Sequence, residues 1–318
     1  MSLENSSVEA NATTPDATAG PNLWPRIAFV TPVLNNAALL EETIKSVLAQ
    51  NYPNLDYFIV DGGSTDGTLD IIRKYESQIS GWLSEPDNGM YDAINKGFER
   101  TSGELMGWIS GTDLLHPGGL RLVASIFQDF PDVEWINGRP NVFNEAGMTV
   151  CVFPVPRWSR FRFLAGANQW IQQEGTFWRR SLWDKAGGYV DASRRLASDF
   201  ELWVRFFRHA QLYSVDGLTG GYRSHGDALG RIHNDDCLRI QREFIDAEID
   251  RTLDYQSLRI MKRITRAVKN IPKVRGLCYR LFVNWLPWLL YRVPGRDLPP
   301  VIECDLWHYP QKWQLRKK

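Results

Sequence analysis

Val60-Asp61-Gly62-Gly63-Ser64-Thr65-Asp66-Gly67-Thr68 decides how the chain is read. It closes a strand-like run, Leu55 to Val60, and opens a segment in which Leu69, Ile72, Tyr75 and Ile79 recur at helical spacing. Its glycines permit a tight turn and close approach of backbone N–H groups to a ligand, and Ser64, Thr65 and Asp66 are candidate helix caps. Such a loop can hold an anion on its N–H groups. Its two carboxylates argue against bare phosphate and suit a ring N–H or a sugar hydroxyl.

The same rhythm extends on both sides. Ile27 to Val30 reads as a buried strand, followed by a helical period through Leu39, Leu40, Ile44, Val47 and Leu48. Trp82-Leu83-Ser84 is a weaker strand before a helix carrying Ala93, Ile94, Gly97 and Phe98, and Leu105 to Ile109 is a fourth strand. Strand–helix repetition of this kind predicts an α/β fold, a Rossmann-like and mostly parallel sheet with helices on both faces. In such sheets ligands bind beyond the carboxyl ends of the strands. Four polar segments follow the four strands: Thr31 to Asn36, Asp61 to Thr68, Glu85 to Gly89 and Ser110 to Asp113.

Beyond Asp113 a mixed α+β half is expected. It has a helix over Gly118 to Phe130, an extended Val133 to Ile136 and a hairpin turning at Asn144-Glu145-Ala146-Gly147. An irregular surface segment is expected over Arg157 to Trp170, then a strand over Gln173 to Arg179 and a helix over Asp199 to His209. This half needs the first to complete its core, so residues 26–250 read as one catalytic unit with two lobes, divided at 113/114. Residues 1–25 read as a disordered arm without signal-peptide character.

The 318 residues carry 37 basic and 37 acidic side chains, with 43% hydrophobic residues. The balance hides a split: residues 1–258 hold 23 Lys/Arg against 34 Asp/Glu, and residues 259–318 hold 14 against 3. An acidic body excludes nucleic-acid binding over most of the surface. Residues 251–318 read as a basic C-terminal helical extension, amphipathic and aromatic. Over 259–296, ten Lys/Arg and no acid accompany Trp285, Trp288 and Tyr291, which suits either a membrane interface or packing on the acidic body. The four widely spaced cysteines form neither a disulfide framework nor a zinc cluster and favour a reducing compartment. No run reaches the ~20 apolar residues of a membrane span.

The loop from Val60 to Thr68 closely resembles the nucleotide-binding signature of the family 2 glycosyltransferases of the GT-A fold. So do Thr31-Pro32 with Asn35, Ser46 to Pro53, and Glu85-Pro86-Asp87-Asn88-Gly89-Met90-Tyr91-Asp92-Ala93-Ile94-Asn95-Lys96-Gly97, all in family order. The resemblance implies an inverting, nucleotide-sugar-dependent transferase. Thr31, Pro32 and Asn35 would shape the donor pocket, and Asp61 would accept from the base, uracil by analogy. Ser64 and Asp66 would belong to the same pocket, and Asp87 and Lys96 would lie near base and ribose. Gly89, Ala93 and Asn95 read as packing, while Tyr91 and Asp92 read equally as structural or donor-touching. Ala197-Ser198-Asp199-Phe200-Glu201 matches the segment whose acid is the general base, here Asp199, with Ser198 as helix cap. Gln173 and Glu174 resemble the acceptor pocket, and Arg223 and His225 would meet the diphosphate.

One departure stands out. The family ends its fourth strand with two acids flanking one residue, which hold Mn²⁺ or Mg²⁺ on the diphosphate. Here Ser110 and Thr112 occupy those positions and only Asp113 remains as a metal ligand. The implied partners are a nucleotide-diphosphate sugar and a glycan or lipid-linked acceptor in polysaccharide synthesis, at the inner face of the cell membrane. Two rivals stand beside this reading. A catalytically silent scaffold is suggested by Ser110 and Thr112. A nucleotidyltransferase is disfavoured because Thr31 to Ala38 has neither glycine nor a basic residue.

Overall fold

The computed structural model describes residues 24–165, 170–226, 234–251, 300–305 and 312–316. Its centre is a seven-stranded sheet. The four strands read from the sequence are β1 (Ile27–Val33), β2 (Leu55–Asp61), β3 (Gly81–Ser84) and β4 (Leu105–Trp108), all mutually parallel in the order β4-β1-β2-β3. The helices between them are α1 (Ala37–Leu48), α2 (Thr68–Tyr75) and α3 (Met90–Glu99).

Both faces of the sheet are covered, and the period of two along β1 shows it. Ile27, Phe29 and Val33 join a core with α1, α2 and α4 (Gly119–Asp129), whereas Ala28 and Val30 join a core with α3 on the other side. Helix α1 buries Leu40, Thr43, Ile44 and Val47, the i, i+3, i+4, i+7 stripe of an amphipathic helix. Helix α3 lies so close to β1 that a Cβ at Gly97 would stand 2.5 Å from Val30 Cγ1.

The second half completes this sheet. β6 (Trp135–Asn137), β9 (Thr176–Arg179) and β10 (Leu212–Ser214) extend it to the order β10-β6-β9-β4-β1-β2-β3, with β9 antiparallel to both neighbours. The two lobes thus share one sheet. The strand expected from Gln173 begins only at Thr176, because residues Gln173–Gly175 form a 3-10 turn. The segment expected as irregular surface contains α5 (Arg160–Leu164), and Trp158, Phe161, Phe163 and Leu164 are buried. The basic residues there masked an apolar face: Phe163 stacks on Phe200 with ring centroids 4.7 Å apart. Helices α6 (Arg180–Lys185), α7 (Ser198–His209) and α8 (Asn234–Arg251) line the same core, in which Trp108 stacks on Trp203.

A four-stranded sheet, β5-β11-β7-β8, stands beside the first. It comprises β5 (Leu114–Leu115), the expected hairpin as β7 (Asn141–Phe143) and β8 (Thr149–Val152), and β11 (Gly220–Arg223). Because β5 begins directly after Asp113, this sheet brings β11 to the end of β4. The last strands, β12 (Val301–Asp305) and β13 (Lys312–Arg316), form a hairpin against the β10 edge. Ile302 bridges Val215, is fully buried, and accepts from Asp216 N at 2.8 Å, while Trp313 Nε1 donates to Ser125 Oγ. Residues 301–305 and 312–316 therefore pack on the β10 edge of the sheet and on α4. Residues 252–299, with the amphipathic reading of 259–296, lie outside the described residues, as do residues 1–23. No helix among the described residues is long and apolar enough to cross a membrane.

Candidate active site

Parallel strands put all four polar segments at one rim. The first two interlock. Asn35 sits in left-handed backbone (φ 48), which asparagine tolerates, and its N–H donates to Ser64 Oγ at 2.7 Å while its Oδ1 accepts from Thr65 N. Asp66 Oδ2 accepts from Ala37 N and its Oδ1 from Thr68 N, so one carboxylate ties the starts of α1 and α2. The N-cap of α2 is Gly67 (φ 94) rather than Ser64, Thr65 or Asp66, because the turn needs a residue free to take positive φ.

Asp61 is fully buried at the end of β2. Its Oδ2 accepts from Gly63 N, Ser64 N and Ser84 Oγ, and its Oδ1 from Ser64 Oγ. The loop's N–H groups thus bind their own carboxylate, and Asp61 holds the β2 and β3 ends together. Thr31 is likewise buried and bonded to Tyr57 Oη at 3.0 Å, with Pro32 buried beside it. These residues form the floor of the rim. Asp87 is half-buried above them: a Cβ at Gly62 would meet its Oδ2 at 2.7 Å, and its Oδ1 accepts from Gly89 N. Lys96 pairs with Glu85 at 2.8 Å and Asp92 at 3.3 Å, bracing the Asp87 loop on α3. Asn95 exchanges two bonds with the Val190 backbone, the packing role expected of it.

The β4 end is acidic and largely buried. Asp113 is 3% exposed; its Oδ1 accepts from Arg223 N at 2.7 Å, and burial pushes its carboxyl up to about 7 against that bond and the Arg223 charge. Glu174, half-buried in the 3-10 turn, is pushed well above the carboxylate range by burial, then by the charges of Asp113 and Asp199. The backbone permits this proximity because Gly220 has no Cβ; one there would lie 2.1 Å from Glu174 O. Gln173 Nε2 donates to Trp108 O, fixing that turn to β4.

Arg223, expected to meet the diphosphate, has its guanidinium inside the protein. Arg223 is fully buried, and its Nη2 pairs with Glu42 Oε2 of α1 at 2.7 Å beneath the Gly147 turn. Among the described residues its Nε and Nη1 find no acceptor. His225 stands half-exposed just past β11. His116 packs against the Phe143 ring and meets Asn141 Oδ1 at 2.8 Å.

Asp199 lies in the first turn of α7, as expected, but Ser198 is not the cap. The N-cap is Ala197, in left-handed backbone (φ 60), and no side chain of its own caps the helix. Burial raises the Asp199 carboxyl, opposed by the Phe200 N–H and by Tyr91, whose Oη donates to Oδ1 at 3.2 Å. Tyr91, which reads equally as structural or donor-touching, has its partner 108 residues away. Glu201 faces elsewhere and pairs with Arg205 at 2.8 Å.

For a divalent cation the donors are right in kind and short in number. Asp113 Oδ2 and the Ser110 and Thr112 hydroxyls, 3.3 Å apart, are hard oxygens. Among the described residues no three His, Cys, Asp or Glu side chains gather to hold an ion. An ion there would draw its remaining ligands from donor phosphates and water.

Comparison with known proteins places this geometry. The profile described as glycosyl transferase family 2 matches residues 28–178. An uncharacterized glycosyltransferase of Mycobacterium tuberculosis (strain CDC 1551 / Oshkosh) is 32% identical over 190 residues, 57% of this chain and 68% of the relative. One of Rickettsia prowazekii (strain Madrid E) is 28% identical over 59% of this chain, which spans 61% of that relative's length. Among solved structures, S. aureus TarS 1-349 in complex with UDP-GlcNAc superposes with a TM-score of 0.55 at 14% identity, over 92% of this chain and all of that one. The Pyrobaculum calidifontis mannosyltransferase PcManGT in complex with GDP-Man and Mn²⁺ gives 0.51 at 17% identity, over 85% and 73%. With the loop signatures in order along one rim and the sheet shared with GT-A structures, this chain belongs to glycosyltransferase family 2.

Proposed function

We propose that the protein moves a sugar from a nucleotide-diphosphate sugar to a hydroxyl of a glycan or lipid-linked acceptor, inverting the anomeric centre. The observation that carries this reading is Asp199. It is a carboxylate in the first turn of a buried helix, raised by burial yet hydrogen-bonded so that it can ionise. A raised pKa makes it a stronger base, and the positive helix end keeps the anion accessible. The acceptor oxygen attacks the anomeric carbon as its proton passes to Asp199. The bond to the diphosphate breaks on the opposite face and its electron pair leaves with the phosphate oxygen.

Asp87, above the floor built by Asp61, Asn35 and Ser64, takes the nucleoside side of the donor. Uridine is the base we assign, by family analogy and in keeping with the UDP-GlcNAc that TarS holds. Protonated Glu174 can donate to a sugar oxygen. A divalent ion held by Asp113, as the Mn²⁺ complex of PcManGT suggests, would offset the charge of the leaving diphosphate. The basic, aromatic stretch 259–296 supports a peripheral location at the inner face of the cell membrane, where a lipid-linked acceptor in polysaccharide synthesis is presented.

The test is release of UDP or GDP from a panel of UDP- and GDP-sugars with Mn²⁺. Turnover by the wild type that falls roughly 10²- to 10⁴-fold in Asp199→Asn is expected. Absence of turnover with every donor would favour the scaffold reading that Ser110 and Thr112 suggest, and preference for guanosine donors would reject the uridine assignment.

A further inference from the structure

Helix α7 begins without a side-chain cap of its own: Ala197 occupies the N-cap position with φ 60 and offers only a methyl group. A helix start leaves N–H groups that need acceptors. A side chain from another helix stands at this start: the phenol of Tyr91, in the first turn of α3, is 5% exposed. The same hydroxyl donates its proton to Asp199 Oδ1 at 3.2 Å. One buried phenol therefore grips one oxygen of the carboxylate that the first turn of α7 presents.

We propose that Tyr91 is a positioning residue for Asp199, anchoring Oδ1 so that Oδ2 faces the acceptor hydroxyl; this rests on the reading of Asp199 as the base. Two further observations support it. Tyr91 stands two residues after Gly89, whose N–H is held by Asp87 Oδ1 at 2.8 Å, and Asp87 lies against Gly62. The phenol is thus the physical link between the loop that faces the donor and the carboxylate that faces the acceptor. The other groups around Asp199 do not substitute for it. Glu174, from the 3-10 turn, and Cys237, from α8, feel its charge but, when ionised, repel it. The N–H groups of its own first turn favour the anion.

A phenol that merely caps a helix would affect stability alone. The discriminating readout is the Asp199 carboxyl itself, followed by ¹³C NMR titration of the full chain with the resonance assigned by its loss in Asp199→Asn. Tyr91→Phe keeps the ring and its burial and removes only the hydroxyl. It is expected to raise the Asp199 titration by roughly half a unit to one unit. In turnover of a UDP- or GDP-sugar it should lower kcat roughly tenfold to a hundredfold, leave the donor KM within about twofold, and move the acid limb of the pH profile upward with the titration. Fluorotyrosine at position 91, a stronger donor of the same shape, should move the titration down, and it decides the matter if Tyr91→Phe does not fold. An unmoved titration with wild-type kcat, in either variant, overturns the proposal. The two readings fail separately: if Asp199→Asn retains wild-type kcat the base assignment falls and takes this proposal with it. If Asp199→Asn is inactive while Tyr91→Phe matches the wild type in kcat and titration, only the positioning role falls.

Discussion

Gly97→Ala tests whether the close seat of α3 on β1 sets the site. Gly97 lies inside α3 with ordinary helical backbone, so alanine there gains about 0.8–1.0 kcal/mol of helix propensity. Against this, the new Cβ would stand 2.5 Å from Val30 Cγ1 and 2.9 Å from Cγ2. Val30 cannot yield: it is β-branched, fully buried and central in the sheet, between β2 and β4. Relieving the clash means moving α3 outward by about 1 Å, and overpacking of this kind costs about 1–3 kcal/mol. The clash outweighs the propensity gain, leaving a net loss of up to about 2 kcal/mol.

Urea unfolding measures that loss, and the companion variant Val30→Ala identifies its origin. Alone, Val30→Ala opens a cavity and costs about 2 kcal/mol. Combined with Gly97→Ala, the added methyl occupies the vacated space, so the double variant should be at least ~1 kcal/mol more stable than the sum of the single losses. Because α3 carries Tyr91, Gly97→Ala should also lower kcat and Val30→Ala should restore part of it. A Gly97→Ala protein more stable than the wild type, or strict additivity in the pair, would refute the reasoning.

Two other outcomes follow from burial in the same fold. Ile302→Ala, in the C-terminal hairpin, should cost about 2–4 kcal/mol by urea unfolding, because the side chain is fully buried beside Val215; a change below ~0.5 kcal/mol would detach the hairpin from the core. Asp113→Asn should raise the melting temperature more at pH 8 than at pH 5. Burial lifts this carboxyl to about 7, so its contribution to stability is complete below its unfolded value near 4 and is lost as pH rises through 7. Asparagine mimics the protonated form and still accepts from Arg223 N, so equal shifts at both pH values would contradict the assignment.

What the sequence disclosed tracks how locally each feature is specified. β1 to β4 with their helices were legible because apolar runs, helical periods and glycine-bearing turns are written in consecutive residues. The antiparallel β9 was legible as a strand but not in its place, since its seat between β4 and β6 depends on partners Leu105–Met106 and Trp135–Asn137 far along the chain. Arg157 to Trp170 misled because alternating arginine and aromatic residues look solvent-facing until Phe163 meets α7. In the site, the acids were found and their partners were not. Nothing in the sequence tells that Asp66 holds Ala37, that Arg223 turns to Glu42, or that Tyr91 reaches Asp199.

The pattern of those partners bears on how the rim works. Asp61, Ser64, Asp66, Asn35 and Thr31 have hydrogen bonds within the chain, which looks at first like a loss of binding capacity. Loops bearing so many polar groups would otherwise rearrange around water, and a ligand would have to order them at the cost of its own affinity. With the floor fixed by internal bonds, the half-buried groups beside it, Asp87, Glu174, His225 and Asp199, are carried on segments that a ligand need not order first. Preorganisation of that sort is most effective where charge changes hands. It is also most sensitive to the struts: removing a strut such as the Tyr91 hydroxyl should weaken turnover without removing a ligand contact, whereas removing one of the half-buried groups should weaken binding or chemistry directly.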